Sequence, residues 1–320
     1  MDIIENQKFY DDNYIEFSIM LNPDRRIYIG KRDATRKCRF CKRESPHAQF
    51  NTKAHAVPEL IGNKTLLTLE ECNECNQNIG RYEDDFSKFT HFERTFNRIP
   101  GKKGIPSIRI PNAKSRVEAR NNNINFIEGE NENLFNMNFE ENVFTAKLQK
   151  QSYRPLGVYK SLLKMGLSIM PHDELENFNE ACLWISQPDL QTHRVSDGAG
   201  YYCFLTFTPG PRPYPHPILT LLKRKTETPH PYMSFILRFG NRTYQIFLPA
   251  KKLDKHLEGK DITLVGYPSQ FMHYDLHNLW KYGKTHFNHI KLSSTNLRTD
   301  DKGDYQFRFD SVSEEKSSEN

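Results

Sequence analysis

Cys38-Arg39-Phe40-Cys41 and Cys72-Asn73-Glu74-Cys75-Asn76 bracket Ala54-His55-Ala56-Val57-Pro58-Glu59-Leu60-Ile61-Gly62-Asn63, and this arrangement decides the fold of the first third of the chain. Two Cys-x-x-Cys pairs within one short segment offer four thiolates that can converge on a single tetrahedral Zn²⁺. Residues 42–71 form the loop that such an ion would close. Four thiolates leave no open coordination position, so the ion would be structural and would contribute folding energy directly. The other two cysteines, Cys182 and Cys203, lie among apolar residues and read as small buried hydrophobes. In a reducing compartment, paired cysteines point to metal more often than to disulfide.

The elements around the knuckles follow from their periodicity. Residues 48–70 hold two short strand-like runs around Gly62-Asn63. From Glu74 to about Thr95, Ile79, Tyr82, Phe86 and Phe89 recur at helical steps. Upstream, Tyr14–Ile19 alternates, Asn22-Pro23-Asp24 is turn chemistry and Arg26–Ile29 returns, which predicts a hairpin over 14–29 within an N-terminal unit of residues 1–30. Residues 98–111 hold two glycines and three prolines and read as a loop.

The combination C-x-x-C, H-x-x-P-x-x-x-G-N and C-x-x-C-N resembles the cysteine-bearing branch of the HNH endonucleases, over roughly residues 36–90. The resemblance implies a zinc-stapled ββα-metal module spanning about 31–112 that hydrolyses nucleic-acid phosphodiester bonds. It makes His55 the general base, Asn63 the residue that orients that histidine's loop, and Asn76 a ligand of a catalytic ion. That ion would be Mg²⁺ or another divalent cation, with oxygen ligands and several retained waters. Independently of the family, a histidine suits the base role because its pKa lies near neutrality. Many members carry an acid or histidine immediately before the catalytic histidine, whereas this chain has Ala54. Glu83, seven residues after Asn76 on the same helical face, and Glu59 are the candidate substitutes. His47 and His91 match no motif position and read as surface residues.

Charge agrees with a polyphosphate partner. Lys31 to Arg116 carries 18 Lys/Arg against 10 Asp/Glu, a local excess of +8 in a chain of net charge +5. Arg94, Arg98, Lys102 and Lys103 follow the helix and are the candidate backbone-phosphate contacts. DNA is the expected substrate.

The chain has 320 residues with 12% aromatics, enough for about two domains. The Asn-rich stretch 112–125 reads as the boundary. Beyond it, residues 125–292 read as a mixed, strand-rich α+β accessory or regulatory domain. Strand-like runs lie at 124–127, 134–139, 143–148, 201–207, 218–222, 233–239 and 243–248, with helices at about 158–169 and 174–185. His273/His277 and His286/His289 have helical ligand spacing but no acidic or cysteine partner. Pro209–Pro217 reads as a stiff interstrand loop. Residues 293–320 are charged and Ser-rich and read as disordered. The overall class is therefore α+β.

A nuclease needs control, so the second domain is expected to bind a ligand, a nucleic-acid feature or a protein. Restriction or anti-phage defence fits that layout. A homo-oligomer is left open. No run approaches the roughly 20 apolar residues of a membrane span, and Met1–Glu5 lacks the basic start of a signal peptide; the expected compartment is the cytoplasm, with no membrane partner. The competing reading is a zinc-knuckle protein that binds nucleic acid without cutting it, which Ala54 favours.

Overall fold

The computed structural model describes residues 3–31, 35–120, 123–188, 200–272, 280–299, 301–309 and 311. The chain opens with α1 (Ile3–Asn13), β1 (Tyr14–Met20) and β2 (Ile27–Ile29). The knuckle region supplies β3 (Ala54–His55), a 3-10 turn (Glu59–Ile61), β4 (Leu66–Thr68), α2 (Asn73–Phe89) and α3 (His91–Phe96). Then follow β5 (Ile108–Arg109), β6 (Arg116–Arg120), β7 (Asn123–Ile127), β8 (Phe135–Asn138) and β9 (Val143–Gln149). The remainder consists of α4 (Pro155–Ile169), α5 (His172–Leu175), α6 (Asn179–Ser186), β10 (Tyr202–Phe207), β11 (Tyr214–Arg224), β12 (Met233–Gly240), β13 (Arg242–Leu248), β14 (His286–Lys291) and β15 (Lys302–Arg308).

The class is α+β, as the patterning implies. A six-stranded antiparallel sheet in the order β1-β11-β12-β13-β10-β14 forms the largest layer. α4 lies against its middle strands, and α2 lies on α4. All fifteen residues of α4 are buried, lysines included. Gly166 permits this close approach, because a Cβ there would stand 3.1 Å from the Phe235 ring and side-chain carbon on β12. Leu162, Met165 and Ile169 form its apolar face. The opposite face, with Lys160, Ser161, Lys164 and Ser168, is covered rather than solvated.

One apolar core runs through the layers. It joins Cys38, Phe40, Ile79, Tyr82 and Phe86 of the knuckle region to Leu162, Leu163, Phe235 and Ile246 of the C-terminal part. The boundary expected at 112–125 therefore does not separate two cores. Arg116–Arg120 and Asn123–Ile127 pair as β6 and β7 rather than forming a linker; Asn121 and Asn122 lie outside the described residues. The small sheets β5-β6-β7 and β15-β9-β8 close over Phe92, Phe96, Phe126, Phe144 and Phe307.

Several local expectations change. The 14–29 hairpin does not form: β1 pairs antiparallel with β11 (Tyr14 opposite Arg224) and β2 pairs parallel with β4. Alternation marked both strands correctly, but long-range burial chose their partners. The helix expected to reach Thr95 breaks at Thr90, whose hydroxyl donates back to Phe86 O at 2.8 Å. The 174–185 helix is three short pieces, because Asn177 and Asn179 interrupt the run. The tail is not wholly irregular: Lys302–Arg308 pairs along β9, while residues 312–320 lie outside the described residues. His286 and His289 sit on strand β14, where a three-residue step puts them on opposite faces, so they share no ion. His273 and His277 lie outside the described residues. Pro215 and Pro217, assigned to a loop, fall within β11 beside a register shift. Among the described residues, no helix is long and apolar enough to cross a membrane.

Candidate active site

The site is built on β3, β4 and the start of α2. The two knuckles hold these together. Cys38, Cys41, Cys72 and Cys75 place their sulfurs within 4.8 Å of one another, and among the described residues this is the sole such group of His, Cys and acidic ligands. Cys41 Sγ and Cys72 Sγ stand 3.7 Å apart. A tetrahedron with metal–sulfur bonds of about 2.3 Å has edges of about 3.8 Å, so four thiolates around one ion fit. The backbone N–H groups of Phe40 and Cys41 turn toward the Cys38 sulfur, and a hydrogen bond from Cys75 pulls the Cys38 thiol pKa down most of all. Arg43 Nε adds an N–H to Cys41 Sγ at 3.4 Å. Asn73 Oδ1 accepts from Asn51 N, Thr52 N and the Thr52 hydroxyl, stitching the intervening loop to the second knuckle. The sequence pattern did not single out Asn73.

His55 ends β3, opposite Leu67 of β4, and is half-buried. Its Nε2 lies 3.2 Å from Glu59 Oε1, one helical step on. Burial lowers the His55 pKa below its ordinary value, and Glu59 opposes that only in part. The imidazole is therefore neutral near pH 7 and able to accept a proton. Asn63 is fully buried and uses its whole amide. Nδ2 donates to Val57 O at 2.6 Å and Leu66 O at 3.0 Å, and Oδ1 accepts from Thr65 N and Leu66 N. Both Nδ2 hydrogens are thus committed to carbonyls, and the 3.5 Å separation from His55 Nδ1 is a contact rather than a hydrogen bond. Asn63 ties the turn after His55 to β4.

The structure sorts the remaining candidates. Asn76 lies half-buried in the first turn of α2. Glu83 shares its face, but seven residues of helix rise about 10 Å, so a common face does not bring the two together on one ion. Glu83 instead faces Lys164 of α4, at 3.5 Å. Glu59 sits at the imidazole. Ala54 is buried, with no oxygen to offer.

The basic candidates divide. Arg94 is a correction: its guanidinium is buried and donates to Ser87 O and Ser87 Oγ, both at 2.8 Å, so it does not reach a surface phosphate. It lies on the α3 side that faces the core. Arg98 is exposed, and Lys102 and Lys103 are exposed at the tip of a tight turn closed by paired hydrogen bonds between Gly101 and Gly104. That turn abuts the Glu59 segment, since a Cβ on Gly101 would stand 3.6 Å from Leu60 Cα. Arg212, from the proline-dense loop, is close enough to Arg98 for their charges to interact. No local pattern in the sequence marks Arg212. His91 is buried rather than at the surface, and its pKa falls to about 4, chiefly through burial. His47 is exposed. Cys182 and Cys203 are fully buried.

Residues 38–91 match the family model described as HNH endonuclease. This segment is an HNH domain with paired cysteine knuckles. The HNH match starts at the first knuckle and ends one residue into α3. No curated protein and no solved structure matches the chain. An HNH domain implies a nuclease and a nucleic-acid substrate, and the four-cysteine cluster is arranged so that it could hold a metal ion.

Proposed function

We propose that the chain is a metal-dependent endonuclease that hydrolyses DNA phosphodiester bonds with His55 as general base. The observation that carries this reading is a half-buried imidazole whose burial keeps it neutral, on a strand stapled to the HNH helix by the cysteine cluster. Glu59 at Nε2 favours the tautomer with its proton on that nitrogen, which leaves the Nδ1 lone pair for the proton of the attacking water. As the water oxygen bonds to phosphorus, the bond to the leaving oxygen breaks. Asn63 holds the turn so that the imidazole keeps its direction. Arg98, Lys102, Lys103 and Arg212 supply positive charge beside the Glu59 turn for the flanking phosphates.

Zn²⁺ is the proposed ion of the four thiolates, as a fold-bearing metal. A hard catalytic cation such as Mg²⁺ would be held by the carboxylate of Glu59 and, from α2, by the carboxylate of Glu83 rather than by Asn76, which lies too far along the helix to share that ion. When bound, that cation neutralises charge on the scissile phosphate and leaving oxygen.

A defence or restriction role extends the proposal, supported by the size of the second part built onto the HNH domain. A cytoplasmic setting is supported by six cysteines that form no disulfide. The alternative is a binding protein without catalysis, favoured by the buried methyl of Ala54 where other members carry a ligand. The test is plasmid nicking in Mg²⁺ or Mn²⁺ by wild type and His55→Ala. Nicking by wild type that His55→Ala loses, with zinc content unchanged, supports the enzyme. DNA retardation without nicking in any divalent ion supports the alternative, and nicking that survives both His55→Ala and EDTA removes the mechanism.

A further inference from the structure

Lys164 lies on α4, more than seventy residues beyond the end of the HNH match. Its side chain is 1% exposed. Its ammonium donates to the carbonyl of His55 at 2.6 Å. The same Nζ stands 3.3 Å from Glu71 Oε2, at an angle that makes an ion pair rather than a hydrogen bond, and 3.5 Å from Glu83 Oε1. One cation therefore meets three parts of the HNH domain: the strand carrying the imidazole, the residue before Cys72, and the helix face carrying Glu83.

The rest of α4 is fastened to the same domain. Asp85 of α2 accepts the N–H of Arg154 at 2.9 Å at the N-terminal end of α4. Gly157 makes room for it, since a Cβ there would overlap the Asp85 carboxylate. At the other end, Arg39 of the first knuckle donates to Leu167 O at 2.9 Å and Met170 O at 2.7 Å, and it is held in turn by Glu70. An anionic group at the helix start and a cation at its end both suit the helix dipole. Fixed at both ends, α4 delivers Lys164 to a defined point.

A buried ammonium is costly unless charged partners face it, and Lys164 has two carboxylates. A packing role would be met by an apolar side chain of similar volume. The hydrogen bond to the His55 backbone and the ion pair with Glu83 are what an apolar side chain cannot supply.

We propose that Lys164 is a positioning residue of the nuclease site, one that locks the His55 strand and the Glu83 carboxylate in register from outside the HNH segment. The inference rests on the nuclease reading above. It means that the C-terminal part completes the active site rather than only accompanying it.

The test compares the full-length, zinc-loaded wild type with Lys164→Met, Lys164→Arg, the double variant Lys164→Met/Glu71→Gln and the control Lys160→Met. Lys160, one turn earlier, contacts Tyr82 and Trp184 rather than the His55 strand. The double variant removes the unpaired buried carboxylate that the single change would leave, so it separates folding from positioning. Readouts are melting temperature, zinc content, Mn²⁺ affinity by calorimetry, and kcat and KM on DNA. Loss of a supporting contact around a metal ligand is expected to lower kcat and weaken Mn²⁺ binding by about 10–100-fold. KM for DNA is expected to stay within about twofold, because binding common to ground and transition states is untouched. Lys164→Arg should recover part of the loss, since it keeps the charge. The double variant should melt near wild type yet remain slow, and Lys160→Met should lose stability with kcat intact.

A folded double variant with wild-type kcat and Mn²⁺ affinity overturns the inference while leaving the nuclease reading standing. A double variant that does not fold, or a Lys160→Met variant equally slow, overturns it in favour of a packing role. Wild type that neither cuts DNA nor binds Mn²⁺ overturns both.

Discussion

Asn63→Asp changes one buried nitrogen to oxygen and should be among the most damaging conservative changes in the chain. The acceptor half of the side chain survives, so Thr65 N and Leu66 N keep their partner. The donor half is reversed. A carboxylate oxygen would stand where Nδ2 now lies, 2.6 Å from Val57 O and 3.0 Å from Leu66 O. Two hydrogen bonds become two oxygen–oxygen contacts at a site with no solvent exposure. Each buried acceptor left unsatisfied costs about 1–3 kcal/mol, so the pair should cost about 2–6 kcal/mol. At roughly 2 °C per kcal/mol for a chain of this size, the melting temperature should fall by about 4–12 °C at pH 7. The carboxyl can escape by taking a proton and donating it to Val57 O. Its folded pKa is then raised, so its stability deficit is largest above that pKa and shrinks as pH falls. Thermal unfolding followed by circular dichroism at pH 7 and pH 5, with wild type and Asn63→Ala alongside, reads both effects. The gap between Asn63→Asp and wild type should narrow at pH 5, whereas that of Asn63→Ala should not. Equal melting temperatures for Asn63→Asp and wild type at pH 7 would refute the geometry assigned to the turn after His55.

His91 is held neutral by burial with a pKa near 4, against about 6.5 when unfolded. Between those values the unfolded chain binds the extra proton, so folding stability should decline as pH falls through that window, by up to about 3 kcal/mol at pH 4. A His91→Phe variant should show a flatter acid limb in urea titrations at stepped pH; an unchanged limb would assign the acid loss elsewhere. Metal analysis of the purified chain should return one zinc per molecule, and Cys38→Ser/Cys41→Ser should abolish it. Because Cys38, Cys72 and Cys75 pack in the same core as α4, that change should lower the cooperativity of the whole melt rather than loosen a separate lobe.

The parts legible in the sequence are those where chemistry is local. Cysteine spacing located the metal cluster, and the run from Ala54 to Asn63 located the turn whose amide organises it. Strand-like runs rich in aromatic and β-branched residues were found at β10, β12 and β13. What stayed hidden depends on long-range partners. Tyr14–Met20 alternates as any strand does, and nothing within it names β11, two hundred residues away, as its neighbour. The α4 segment reads as amphipathic, with lysines on one face, which ordinarily marks a solvent-facing helix. Its polar face is buried because a second layer covers it, and the acids that neutralise Lys164 lie far upstream. Arg94 failed as a phosphate contact for the same reason. Its charge was visible, but its burial against Ser87 was not.

Because α4 is enclosed on one side by the sheet and on the other by α2, the HNH segment is not a detachable cassette. A chimera that transplants residues 31–112 would carry a bare apolar stripe of Ile79, Tyr82 and Phe86, an orphaned acid at Glu71 and a histidine strand without its anchor. Any graft that keeps the segment covered must bring the fifteen residues of α4 with it, and so inherits a sheet on which that helix can rest.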